Sequence, residues 1–161
     1  MSAGSSSASG EAPAAAGDLS AADFLEAVEA IPGGFVIYDR DDRLLVANAA
    51  FREFHGDVAH LLVPGARFSN LLNARCAAFG GERSSGPQRC GVDCGPQCGD
   101  WLGCRTLVHG EANGVMFETT AEGRWVRVEE HRTPSGLTVG LRTDLSDVRD
   151  AQVQLERSEA K

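Results

Sequence analysis

The feature that most restricts how this chain folds is the run GVMFETTAEGRWVRVEEHRTPSGLTVGLRTD, from Gly114 to Asp144. It holds three strand candidates, at about 115–120, 124–132 and 137–143, rich in Val, Phe, Trp and Thr. Glu122-Gly123 and the TPSG at 133–136 supply the turns between antiparallel neighbours. Leu137, Val139 and Leu141 alternate cleanly, which predicts a strand with one apolar face.

Two more strands are expected upstream. FVIYDRDDRLLVANAAF reads as a hairpin, Phe35–Tyr38 and Arg43–Ala47, joined by an acidic turn. Asn48 is placed to cap a short helix reaching Phe54. A second helical stretch begins after Pro64-Gly65 and turns Phe68, Leu71, Leu72 and Cys76 one way. Ser20 and Asp23 form a capping-box start for an N-terminal helix that Pro32-Gly33-Gly34 stops. The polar segment DLSDVRDAQVQLERSEAK ends the chain as a helix, with Leu145, Val148 and Leu155 near heptad spacing. The order predicts an α+β domain: a five-stranded antiparallel sheet with helices on one face.

The 161 residues suggest one domain. Residues 1–18, mostly Ser, Ala and Gly, are expected to be a disordered tail, and the domain to occupy 19–144. Residues 145–161 are expected to start a coiled-coil helix. The net charge of −8 has no basic cluster against it, which argues against nucleic acid and anionic membrane as partners. No run approaches the roughly 18 apolar residues of a membrane span, and no export signal is present, so the cytoplasm is the expected compartment.

Four of the five cysteines fall in sixteen residues, RCGVDCGPQCGDWLGC. Cys90, Cys94, Cys98 and Cys104 are spaced C-x3-C-x3-C-x5-C in a glycine-rich loop expected at 80–104. Thiolates are soft donors, and four of them suit an iron–sulfur cluster or zinc. Gly91, Gly95, Gly99 and Gly103 would permit the tight turns such wrapping needs. Neither metal's most familiar spacing is matched, and reactive thiols or an unstructured loop are the bland alternative. Cys76, on an apolar helix face, is read as a small buried hydrophobe. His55, His60, His109 and His131 are ordinary surface or satisfied residues on this reading, with His109 a reserve ligand. Phe117 and Trp125 are read as core aromatics, with lining a cavity the less favoured role, and Trp101 as a cover for the cysteine site.

Taken together, AIPGGFVIYDRDDRLLVANAAFREF, LLVPGARFSNLL and EGRWVRVEEHRTPSGLTVGLRTDLSDV resemble a PAS domain of the kind found in bacterial sensor kinases and diguanylate cyclases. Asp144-Leu145-Ser146 is similar to the family's element joining the last strand to a signalling helix. The resemblance implies a PAS fold with an N-terminal helix and a C-terminal signalling helix; the cysteine-rich loop departs from the family's usual pattern and looks like an insertion. It implies a homodimeric sensory module whose output domain, such as a histidine kinase or diguanylate cyclase, lies in a longer protein or in trans. Asp144, Leu145, Ser146 and Val148 would then relay the signal, Asp144 by capping the exit helix and Leu145 and Val148 by starting its apolar seam. The alternative is a cofactor-free dimerisation scaffold. An enzyme is not expected: no C-x-x-C redox pair, nucleophile–base set or paired carboxylates stand out.

Overall fold

The computed structural model describes residues 17–78, 100–120 and 122–160. Helix α1 (Ala21–Glu29) leads into β1 (Gly34–Tyr38) and β2 (Leu44–Ala47). Helix α2 (Ala49–Phe54), a 3-10 turn (Ala59–Leu61), α3 (Phe68–Ala78) and α4 (Trp101–Glu111) follow. Then come β3 (Val115–Thr119), β4 (Trp125–Arg132), β5 (Thr138–Asp144) and the exit helix α5 (Ser146–Glu159). The strands form one antiparallel sheet in the order β2-β1-β5-β4-β3. Helices α2, α3 and α4 cover one face of it, so this is the α+β PAS fold that the resemblance implied. No helix among the described residues is long and apolar enough to cross a membrane.

Local chemistry fixes these elements. The Ser20 hydroxyl accepts from the Asp23 amide at 3.1 Å and the Asp23 carboxylate accepts from the Ser20 amide at 3.1 Å, closing the capping box that starts α1. Asn48 is fully buried and does more than cap α2. Its Oδ1 accepts from the Phe51 and Phe35 amides, both at 2.9 Å, and its Nδ2 donates to Val28 and Gly33 carbonyls. One side chain thus ties the end of α1, the start of β1 and the start of α2. At the sheet centre, Gly140 of β5 faces Val36 of β1, where an added Cβ would lie 2.6 Å from a Val36 methyl.

Three expectations need correction or refinement. The loop expected through residue 104 gives way to α4 at Trp101, so Cys104 and Gly103 are helical. Asp100 caps this helix by accepting from the Gly103 amide at 3.0 Å, and its carboxylate fills the space where a Gly103 Cβ would sit. Gly103 therefore serves close approach, and not the φ > 0 turn expected of it. The second is a refinement, since alternation predicted one apolar face on β5 without saying which way it points. The buried side of β5 carries Thr138, Gly140 and Arg142, while Val139 and Leu141 are only half-buried on the opposite face. The period was as expected, but the apolar set points away from the helices. Third, Asp144 is the last residue of β5 and Leu145 holds the N-cap position of α5, so the expected cap is made from one residue further back, the Asp144 carboxylate accepting from the Ser146 amide at 2.9 Å. The disordered tail expected at 1–18 falls outside the described residues up to position 16, as does the cysteine loop between 80 and 99.

Candidate functional site

Period two along the sheet and a 3.6-residue turn along the helices bring six polar side chains to one place. Glu118 of β3, Glu130 of β4 and Arg142 of β5 point inward, from positions that alternate with half-buried ones. Arg75 comes from the face of α3 that also buries Leu71, Leu72 and Cys76. Arg105 and His109 lie one turn apart on α4, on the stripe begun by Trp101. None of the six is more than 5% exposed. Ions so placed lose their hydration, at an effective several kcal/mol each, unless partners replace it.

Most of them have partners. Arg105 grips Glu130 with both terminal nitrogens, Nη1 donating to Oε2 at 3.2 Å and Nη2 to Oε1 at a shorter distance. Its Nε lies 3.5 Å from Glu118 Oε1. Arg75 Nη1 donates to Glu118 Oε2 at 3.3 Å. His109 places Nδ1 3.0 Å from Glu130 Oε2 and Nε2 3.0 Å from Asp42 Oδ1. The His109 ring also stacks on Phe68, centroids 3.5 Å apart. Burial works to raise the carboxyl of Glu118, but Arg75, Arg142 and Arg105 outweigh it and hold the group below its ordinary range. Glu130 is likewise held far below that range, because Arg105 and His109 overcome its desolvation.

Arg142 is the exception. Its Nε and Nη1 are buried and meet no hydrogen-bond acceptor among the described residues. It lies over the Phe51 ring at 5.0 Å, a weak partner for a buried cation. Desolvation pulls its pKa below the guanidinium norm despite the attraction of Glu118. Beside it is a cavity of about 20 Å³, walled by apolar residues of α2 and α3 together with Tyr38, His55, Arg75, Arg105 and Arg142. That is room for roughly one or two water-sized groups. Burial pushes the Tyr38 phenol up to about 12, keeping it protonated and a donor. Burial and the nearby Arg75 and Arg142 push His55 well below its usual value, so it is neutral, with Nδ1 2.9 Å from the Phe51 carbonyl. The chemistry offered to the cavity is that of hydrogen-bond donors, a binding chemistry.

The sequence candidates are distributed differently. Of the four cysteines, only Cys104 belongs to the described residues, in the first turn of α4 and half-buried. Cys90, Cys94 and Cys98 lie outside them. Among the described residues no three His, Cys, Asp or Glu side chains come close enough to share a metal ion. His109, held in reserve as a ligand, has both ring nitrogens facing carboxylates instead. Cys76 is buried in the apolar core, as expected, in a cluster that also holds the buried Trp101. Phe117 and Trp125 stack at 4.8 Å on the face away from the cavity, where Arg149 of α5 lies over Trp125.

Three of the four exit residues, Asp144, Leu145 and Ser146, do come together, while Val148 stands exposed beyond them. Asp144 Oδ1 accepts from the Ser146 amide at 2.9 Å and from its hydroxyl at 2.6 Å. The Ser146 hydroxyl oxygen accepts from the Trp125 amide at 2.9 Å, and the Leu145 amide donates to the Trp125 carbonyl at 2.8 Å. The start of α5 is thus knotted to the first residue of β4. Val148 is 62% exposed and Leu155 60% exposed along α5. The polar interior is hard to see in the sequence because charged residues alternating along a strand are ordinarily its solvent-facing set. The signal available was Arg75, a charge within the apolar stripe of α3.

Fold and site together define a PAS-fold domain with an ionic interior. No family model matches the chain. It is similar to the "Non-motile and phage-resistance protein" of Caulobacter vibrioides, 24% identical over 134 residues. That match takes in 83% of this chain and spans only 13% of the relative's length. Among solved structures, the PAS domain of BvgS from Bordetella pertussis is similar at 14% identity, with 85% of this chain and 94% of that one covered and a TM-score of 0.43. A domain of a sensory box histidine kinase/response regulator from Geobacter sulfurreducens gives 17%, 76%, 92% and 0.41 in the same order. An RNA-binding light-oxygen-voltage receptor gives 15%, 93%, 41% and 0.45. At such scores these likenesses carry no argument about function, and the fold is read from the sheet and helices themselves.

Proposed function

We propose that this chain is the cytoplasmic sensory module of a longer signal-transduction system, passing a change in its interior to an output domain through α5. One observation carries the reading. Strand β5 bears the unsatisfied Arg142 in the interior and, two residues later, Asp144 at the knot that starts α5. A shift of β5 or β4 at the interior therefore changes the direction in which α5 leaves. The exposed Val148 and Leu155 support pairing of two such helices in a homodimer. The output domain, of histidine kinase or diguanylate cyclase type, belongs to the same proposal, and no catalytic role is assigned to this chain.

The cysteine set is the proposed receiver of a redox or oxygen signal. Cys104 on α4 stands next to Arg105, so a cluster or zinc ion held by Cys90, Cys94, Cys98 and Cys104 would act on the helix that supports the buried ions. Anaerobic purification with iron, sulfide and zinc analysis tests this, together with spin-label distances between α5 helices before and after oxidation. Metal that disappears in the Cys94→Ser/Cys98→Ser double variant, with distances that change on oxidation, is expected. Metal-free protein overturns the receiver, and invariant distances overturn the relay.

A further inference from the structure

We infer that the cavity beside Arg142 is a binding site for a small monovalent anion of one to three heavy atoms, of the chloride, nitrite or formate class. The inference deepens the sensory reading by naming a ligand, but it rests on the interior alone and is tested without any output.

Three guanidinium groups, from Arg75, Arg105 and Arg142, line this one cavity. Two carboxylates, Glu118 and Glu130, are buried with them. Glu130 is held by Arg105 and His109, and Glu118 by a hydrogen bond from Arg75, its Oε1 lying 3.5 Å from Arg105 Nε without a hydrogen bond and its charge felt by Arg142 only at longer range. No carboxylate oxygen of the described residues lies within 4.0 Å of the Arg142 guanidinium. The third cation is left over, 4% exposed, with Nε and Nη1 unsatisfied. Arg75 Nε, in the same cavity wall, is also without an acceptor. A buried cation and orphaned donors are expensive.

An anion answers each of these needs at once. It would neutralise the surplus charge and accept from guanidinium donors, with the protonated Tyr38 hydroxyl on the same wall. Water would satisfy donors but leave the charge. The size of the cavity sets the upper limit on the ligand: about 20 Å³ excludes haem, flavin, nucleotides and dicarboxylates. The apolar walls from Phe51, Leu62 and Leu71 suit a weakly hydrated monovalent ion better than phosphate or sulfate, whose dehydration costs more.

The test is thermal unfolding of the full chain against increasing formate, nitrite or chloride, at constant ionic strength made up with gluconate, which is too large to enter. Expected is a saturable rise in Tm, following binding to the native state only, of several degrees at 100 times the Kd. Arg142→Met, which keeps volume and removes the cation, should lose the saturable rise while its Tm in gluconate stays at or above that of the wild type. An equal rise in both proteins means surface binding and overturns the site, as does no rise in the wild type. Should Arg142→Met fail to fold, saturation transfer from protein methyls to the formate C–H in the wild type decides the matter. Transfer displaced by nitrite is expected, and absence of transfer overturns the proposal.

Discussion

His109 on α4 and Asp42 in the β1–β2 turn, 67 residues apart in the chain, meet at 3.0 Å. Asp42 sits at φ 56°, a left-handed conformation that Asp tolerates better than most residues. The turn is thereby pinned to the helix, and His109 passes the connection on to Glu130. Asp42→Asn keeps the tolerance for this backbone and a hydrogen-bonding oxygen. Asp42→Ala loses the bond and places a poorly suited residue at positive φ. The expected order of unfolding free energies is wild type, then Asp42→Asn, then Asp42→Ala, with the last about 2 kcal/mol below the first. Equilibrium urea unfolding reads this order, and equal effects of Asn and Ala would remove the strain argument.

The ion network makes single and paired substitutions behave differently. Glu118→Ala leaves Arg75 facing an unpaired site and strips a partner from Arg105. It should lower stability by about 3–5 kcal/mol. The double variant Arg75→Met/Glu118→Ala removes both charges and should recover much of that loss. Denaturant titration of the four proteins of the cycle measures the coupling, which should exceed about 1 kcal/mol for groups in contact.

Acid should act on this protein through His55 before it reaches the carboxylates. His55 is buried and neutral, with its proton affinity depressed from the usual 6.5. Above pH 6.5 neither the folded nor the unfolded state binds the proton. Below it the unfolded state does, and stability falls by up to about 1.4 kcal/mol per pH unit until the folded pKa is reached. Glu118 and Glu130 are depressed carboxyls, so their contribution is present above their unfolded value of 4.5 and is lost as pH falls below it. His55→Gln should flatten the wild-type curve between about pH 6.5 and 5, while the fall that the carboxylates cause below about 4.5 remains in the variant. Unfolding titrations at stepped pH compare the two.

Tyr38 is the one tyrosine of the chain, so its ionisation can be followed by ultraviolet absorbance without assignment. In the folded protein the phenolate should appear near pH 12, and in denaturant near the ordinary 10.0. The raised value means that the unfolded state gives up its proton first. Stability from this group is complete below pH 10 and declines as pH rises through about 12. Phenolate absorbance at pH 10 in folded protein would place Tyr38 in contact with water.

The sheet was legible because turn residues and period-two runs recur on schedule from Phe35 to Ala47 and from Val115 to Asp144. Which face is inward was not. Leu137, Val139 and Leu141 look like a core set by composition, yet the core takes Thr138, Gly140 and Arg142. Tertiary pairing of ions decided this, and a single strand holds no record of its partner on α3 or α4. Helix α4 was hidden for another reason. Gly103 and Gly110 lower local helix propensity, and Cys104 drew the segment into the cysteine pattern. The cap at Asp100 was available in the sequence but lay inside what read as a loop. The junction Asp144-Leu145-Ser146 was found by resemblance, while its anchor on Trp125 required the sheet register.

That anchor has a mechanical consequence. The knot at Trp125 and Ser146 holds the near end of a helix of 14 residues, none of which is itself buried. At about 1.5 Å per residue α5 is a rigid arm of roughly 20 Å with its pivot on one strand residue. A tilt of about 5° at the pivot carries the far end through roughly 2 Å.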